Sequence, residues 1–228
     1  MSENPLLKYF NNNDKRFMLK WTHYFEIYHR HFAQFRNKKP TVVEIGVYHG
    51  GSLQMWKSYF GEGARICGVD IDPRCKALEE PGIEIFIGNQ EDRGFLRELC
   101  EHLGQIQIVV DDGGHKMAQQ IVTFEEMYPS IAIPGVYLVE DLHTSYLSRW
   151  GGQLHKADTF VEYSKRLIDN LNGWHIPPED IELVSDSKVP MNDFLSSAYS
   201  MTFYDSVLVV EKRKMAKPVS RHTGKESF

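Results

Sequence analysis

Between residues 41 and 140 the chain alternates short apolar, β-branched runs with stretches of helical periodicity. The runs are TVVEIGV (41–47), RICGVDI (65–71), IEIFIG (83–88), IQIVVD (106–111) and GVYLVE (135–140). Near 51–60, 74–80, 92–103 and 116–131, apolar residues recur at helical spacing instead. Continuous apolar strands suit a sheet covered on both faces, and strands alternating with helices predict βαβ units. A further amphipathic helix is expected at 157–171. AYSMTFYDSVLVVEK (198–212) reads as two strands about Tyr204-Asp205, most simply a β-hairpin. The expected architecture is therefore α/β, a mostly parallel seven-stranded sheet with a C-terminal antiparallel hairpin.

The flanks read differently. FMLKWTHYFEIYHRHFAQF (17–35) is aromatic at roughly helical spacing and predicts one helix, ended by Pro40. Residues 1–40 are expected to form an N-terminal helical cap, 41–212 the main domain, and 213–228 a basic, flexible tail. Trp21, His23, Tyr24, Tyr28 and His31 of the aromatic helix could cover a ligand or simply pack in the core.

A chain of 228 residues is long enough for one domain with a sizeable core. Its net charge of -5 argues against nucleic acid as a partner. No apolar run approaches the roughly 20 residues of a membrane span, and the N-terminus lacks the apolar region of a signal peptide. Three cysteines without metal-type spacing read as reduced core thiols, which points to the cytoplasm. The N-terminal segment is a candidate homo-oligomer interface.

Chemistry gathers where the strands end. VVEIGVYHGGS (42–52) is a strand followed by a glycine-rich turn that opens a helix. Glycines there let backbone approach a ligand closely, and the helix N-terminus offers free N–H groups. The pattern is neither G-x-G-x-x-G nor a P-loop. Its E-x-G-x-x-x-G form, with Glu44, Gly46, Gly50 and Ser52, resembles the first motif of class I S-adenosylmethionine-dependent methyltransferases. The second strand ends in Asp70 and Asp72, placed to accept ribose hydroxyls. After the third, Gln90 or Asp92 could bond an adenine, although both types are also common turn and cap residues.

The fourth and fifth strands end in VVDDGGH and LVEDLH. Sequential parallel strands are often neighbours, so Asp111, Asp112 and His115 could face Glu140, Asp141 and His143. Converging carboxylates repel unless protonated or bridged by a cation. Oxygen ligands favour a hard ion such as Mg2+; zinc competes because two histidines are near. Helix capping alone is the bland alternative.

These segments, with FYDSVLVVEK near the end, resemble the metal-dependent sugar O-methyltransferases of macrolide tailoring, the macrocin and mycinamicin type. The resemblance spans roughly residues 12–212. It implies the Rossmann-like class I methyltransferase fold, S-adenosylmethionine and Mg2+ as cofactors, and a role in antibiotic or other natural-product biosynthesis. It further implies Asp112, Glu140 and Asp141 as metal ligands, His115 as general base, and Asp111 lining the cofactor pocket. His143 is the second base candidate. The expected reaction is methyl transfer to a hydroxyl of a sugar or another small-molecule acceptor. A catechol-type O-methyltransferase and a non-catalytic nucleoside-binding protein are the alternatives. Acceptor selectivity is expected in the loops 143–157, with Tyr146 and Trp150, and 172–197.

Overall fold

The structure, a computed structural model, describes residues 4–183, 187–225 and 227. In chain order its strands and helices are α1 (Pro5–Asn11), α2 (Tyr24–Phe32), β1 (Thr41–Ile45), α3 (Gly51–Phe60), β2 (Arg65–Asp70), β3 (Ile83–Ile87) and α4 (Arg93–Leu103). Then come β4 (Ile106–Asp111), α5 (Met117–Met127), β5 (Ile131–Val139), α6 (Phe160–Leu171), α7 (Met191–Ser197), β6 (Ala198–Tyr204) and β7 (Val207–Lys212). The strands form one sheet in the order β3-β2-β1-β4-β5-β7-β6. The first five pair in parallel, while β7 runs antiparallel between β5 and β6. Both the parallel core and the closing hairpin match the sequence-based expectation.

The sheet reverses direction of build between β1 and β4, and open α/β sheets bind ligands outside the carboxyl ends at such a point. Register brings those ends level. Ile45 pairs with Asp111, and Asp111 with Val139, so Asp112 and Glu140 emerge side by side. The Asp112 amide donates to Ile45 O, and that of Glu140 to Asp111 O, both at 2.9 Å.

Two apolar layers sandwich the sheet. On one face Leu96, Phe124, Phe160, Leu167 and Phe194 bring α4 to α7 onto Val43, Val109 and Tyr137. On the other, Leu6, Tyr24, Phe25, Tyr28 and Phe32 of α1 and α2 pack with Leu53, Trp56 and Phe60 of α3 over Val42, Val110 and Leu138. Burying each such aromatic is worth about 1.5–3 kcal/mol over leaving it exposed. The N-terminal residues thus share the core of the sheet rather than lying apart from it. Asn4 starts α1 by accepting the amides of Leu6 and Leu7, with Pro5 preset at the first helical position.

Several expectations need correction. The helix expected over 17–35 begins only at Tyr24; residues 17–20 have no regular structure. Their apolar side chains Phe17, Leu19 and Trp21 follow a period of two, which suits an extended strap. The helical stretch at 74–80 is a 3-10 turn, Pro73–Leu78. The stretch 116–131 stops at Met127, because Pro129 tightens the chain into a 3-10 turn before β5 begins at Ile131. Helix α7 was not expected, while α1 falls within the expected N-terminal helical cap without having been placed in it. The loop 172–197 carries α7, and its residues 184–186 lie outside the described residues. No helix among the described residues is long and apolar enough to cross a membrane.

Candidate active site

A cavity of about 740 Å³ opens over the carboxyl ends of β1, β2, β4 and β5. Its floor is the first turn, Ile45 to Tyr48, then Asp70 and Gln90; one wall is Asp112 to His115, Glu140 and Asp141. The strap 17–22 closes the other side. Gly51 makes that possible, since a Cβ there would lie 2.4 Å from Phe17 O. Gly46 has φ +94°, and a Cβ on it would meet Asp112 O at 2.1 Å. Only glycine brings the first turn this close to the acid loop.

The expected cofactor residues separate into two groups. Gly46, Ser52, Asp70 and Gln90 line the cavity. Asp70 Oδ2 accepts the amides of Val47 (2.9 Å) and Tyr48 (3.1 Å), and Oδ1 that of Asp72 (2.9 Å). It therefore organises the turn as well as facing the cavity. Gln90 is bound within the protein: Nε2 donates to Asp111 Oδ1 and Thr123 Oγ1, and Oε1 accepts the Gly114 amide at 2.8 Å. It braces the acid loop.

Glu44, Gly50, Asp72, Asp92 and Asp111 are not among the lining residues. Asp72 caps its 3-10 turn and binds Arg74 Nε at 2.8 Å; Asp92 caps α4 through the amides of Gly94 and Phe95. Capping accounts for both. Asp111 is buried beneath the cavity, and burial pushes its carboxyl up to about 7 against the hydrogen bond from Gln90.

The acids of β4 and β5 do converge. Asp112, His115 and Asp141 each offer one ligand atom, all within 4.8 Å of one another. His115 Nε2 stands 3.5 Å from Asp141 Oδ2 and 3.7 Å from Asp112 Oδ1, while its buried Nδ1 has no hydrogen-bond partner among the described residues. Asp141 is fixed from behind by the Tyr24 hydroxyl, which donates to Oδ1 at 2.7 Å. His115 (φ 56°), Asp141 (φ 57°) and Tyr48 (φ 52°) all occupy the left-handed region. Non-glycine residues held there store strain, which clusters at functional sites. His143 lies further out, half-exposed, with Nδ1 2.6 Å from Ser206 Oγ and its ring against Trp21.

Glu140 stands apart from that cluster. It is buried, and Lys20 Nζ reaches its two oxygens at 3.0 and 3.1 Å. The Tyr28 hydroxyl donates to Oε1 at 2.6 Å. The same ammonium binds Asp112 Oδ2 and lies 3.4 Å from Glu44 Oε1, whose other oxygen accepts from Ser52 at 2.6 Å. Burial works against the charge on Lys20, but Asp112, Glu140 and Glu44 outweigh it and hold its pKa well above the usual value. One cation faces three carboxylates. Burial, reinforced by the charge of Asp112, accordingly pushes Glu140 well above the usual carboxylate range, and Glu44 is raised for the same reasons. Sequence reasoning missed Lys20; its period-two neighbours were the available signal.

No family model matches the chain. It is 36% identical over 198 residues to the 8-demethyl-8-alpha-L-rhamnosyl tetracenomycin-C 2'-O-methyltransferase of Streptomyces olivaceus, covering 83% of this chain and 50% of that protein. It is 37% identical over 162 residues to the demethylmacrocin O-methyltransferase of Streptomyces fradiae, covering 67% and 40% respectively. The chain thus spans half or less of the length of these curated relatives. The MycE methyltransferase of the mycinamycin pathway, solved in complex with Mg, SAH and mycinamycin VI, superposes with a TM-score of 0.77. That match has 30% identity and covers 93% of this chain and 54% of MycE. In sequence and in fold, the chain is similar to O-methyltransferases that act on sugars of macrolides and related natural products.

Proposed function

We propose that this chain is an S-adenosylmethionine- and Mg2+-dependent O-methyltransferase acting on a sugar hydroxyl of a natural-product glycoside. One observation carries the reading: Asp112, Asp141 and His115, from two adjacent strand ends, meet beside a glycine-turned cavity at the sheet's switch point. Two convergent carboxylates in a partly buried wall fit a hard divalent ion, which protein commonly holds by one or two carboxylates. The ion would be held by Asp112 and Asp141. Asp70 and the turn 46–52 would hold the nucleoside.

When bound, Mg2+ would lower the pKa of the acceptor hydroxyl and orient it. The sulfonium donor would supply the methyl group to the acceptor oxygen and leave as the neutral thioether. His115 Nε2 takes the hydroxyl proton, and Asp112 and Asp141 beside it stabilise the imidazolium that results. The strap keeps water from the donor and presents Phe17, Leu19 and Trp21, each more than half exposed, at the rim. That apolar rim suits a sugar carried on a greasy framework.

The test is methyl transfer to rhamnosyl tetracenomycin and mycinamicin-type acceptors, read by mass spectrometry with and without Mg2+. Donor binding without transfer to any glycoside would leave a nucleoside-binding protein instead.

A further inference from the structure

We propose that His143 is a hydrogen-bond donor to the acceptor sugar, set in that role by Ser206 and backed by the Trp21 ring. The inference rests on the glycoside reading above and names how the acceptor is gripped.

Three segments meet on the outer side of Asp141. The strap brings Trp21, which lines the cavity; the loop after β5 brings His143; the turn between β6 and β7 brings Ser206. That turn is docked onto the loop, since the Leu142 amide donates to Ser206 O at 2.9 Å. The Ser206 hydroxyl then fixes the imidazole. Its Oγ accepts the His143 amide at 3.1 Å and lies 2.6 Å from ring Nδ1. A hydroxyl has one hydrogen to give, and Nδ1 is its acceptor among the described residues. The neutral ring therefore carries its own hydrogen on Nε2. Asp141 Oδ1, 4.0 Å from Nδ1, is too distant to hold the ring hydrogen on that side. Nε2 has no partner among the described residues, and the side chain is 39% exposed.

The turn itself is built for this contact. Ser206 has φ 64° in a two-residue hairpin connection, where glycine or asparagine is the usual choice. Serine keeps a strain there that glycine would remove, and its hydroxyl goes to His143. Trp21 supplies the apolar half. Its indole is more than half exposed and nearly perpendicular to the imidazole, with centroids 6.1 Å apart at 79°. An exposed aromatic face suits the C–H face of a pyranose, and an N–H beside it suits an oxygen at that ring's edge. A group that only donates reads whether an oxygen is present. A free hydroxyl and a methyl ether both satisfy it, whereas a deoxy position does not. The corner thus fits a sugar with oxygen next to the methylated position, whether or not that oxygen already carries a methyl group.

The experiment has two arms. Side-chain 15N spectra of the labelled intact chain, taken where the ring is neutral, should place the His143 hydrogen on Nε2; His143→Gln assigns the signal. Ser206→Ala should mix the two tautomers, which a merely structural role for the hydroxyl would not do. Ser206→Gly relieves the turn and should give the same mixture should the alanine variant fail to fold. In the second arm, methyl transfer to rhamnosyl tetracenomycin is followed across acceptor concentrations. His143→Leu should raise KM about tenfold and change kcat by less than about threefold, as for one lost binding hydrogen bond. His143→Gln keeps an amide donor and should recover much of the loss. An analogue methylated at the neighbouring oxygen should match the parent in wild type, while the deoxy analogue should be insensitive to His143→Leu. A ring hydrogen on Nδ1 in wild type would overturn the proposal, as would a wild-type KM indifferent to the deoxy change. A fall in kcat of about a hundredfold or more in His143→Gln would make His143 the base instead. Absence of transfer to every glycoside would overturn the proposed function and this subsite with it.

Discussion

Tyr24 and Asp141 are separated by 117 positions, yet the tyrosine hydroxyl donates to Asp141 Oδ1 at 2.7 Å. A helix from the N-terminal segment therefore sets the orientation of a proposed metal ligand. Outer partners of this kind commonly matter by one to two orders of magnitude in metal affinity. Tyr24→Phe should weaken Mn2+ binding roughly tenfold while leaving donor binding intact. Calorimetry with Mn2+ and with S-adenosylhomocysteine would separate the two effects; unchanged Mn2+ affinity would show that the hydroxyl serves packing only.

Asp141→Asn removes a ligand oxygen from the cluster and should abolish both divalent-ion binding and turnover. Treatment of the wild-type protein with EDTA should reproduce the loss, and added Mg2+ should reverse it. Full activity after chelation is the result that sinks the metal.

For His115→Ala the expectation differs. Turnover should fall by about 10²–10⁴-fold, the usual contribution of a proton acceptor. Mn2+ and donor affinities should hold. A variant that loses Mn2+ binding instead would move His115 from base to ligand and leave His143 to take the proton.

Gly46→Ala is expected to be severe. The new methyl would collide with Asp112 O in a backbone conformation that costs about 1–3 kcal/mol outside glycine. Relief requires moving Asp112, so Mn2+ affinity should drop alongside the melting temperature.

Lys212 offers a pH test remote from the cavity. Its ammonium is buried at the end of α5, where it donates to Tyr128 O at 2.9 Å, and burial lowers its pKa to about 8. The unfolded chain keeps the usual value near 10.5, so between about pH 8 and 10.5 it binds more protons than the native state. Below pH 8 both states are protonated and the cost of burying the charge is fully present; it is relieved as pH rises through that window. Denaturant melts of Lys212→Met against wild type should show this upward contribution vanish in the variant.

Much of this was legible because strand runs such as IQIVVD and the hairpin about Tyr204-Asp205 carry their own periodicity. The pairing of Asp112 with Glu140 followed from chain order, since β4 and β5 are sequential and adjacent. Side-chain partnership was not legible. Asp72 and Asp92 look like ligand-binding acids at strand ends, but local amides satisfy them first. Lys20 sits among aromatics, where a lysine ordinarily runs its stem along the surface; its carboxylate partners come from three distant strand ends. Glu140 is expected at the ion, with Asp112 and Asp141, only through the resemblance. The left-handed turn at Asp141 gives the two consecutive side chains different protein partners, Lys20 and Tyr28 for one, Tyr24 and His115 for the other.

The left-handed backbone at His115 and Asp141 has a consequence for anyone who would engineer this protein. Glycine at either position should relax the chain and raise its thermal resistance, by about 1 kcal/mol each, while discarding the very groups that give the cavity its chemistry. Selection for ruggedness alone would drift toward an inert, tougher molecule, and any campaign to harden the catalyst must screen for turnover at every round.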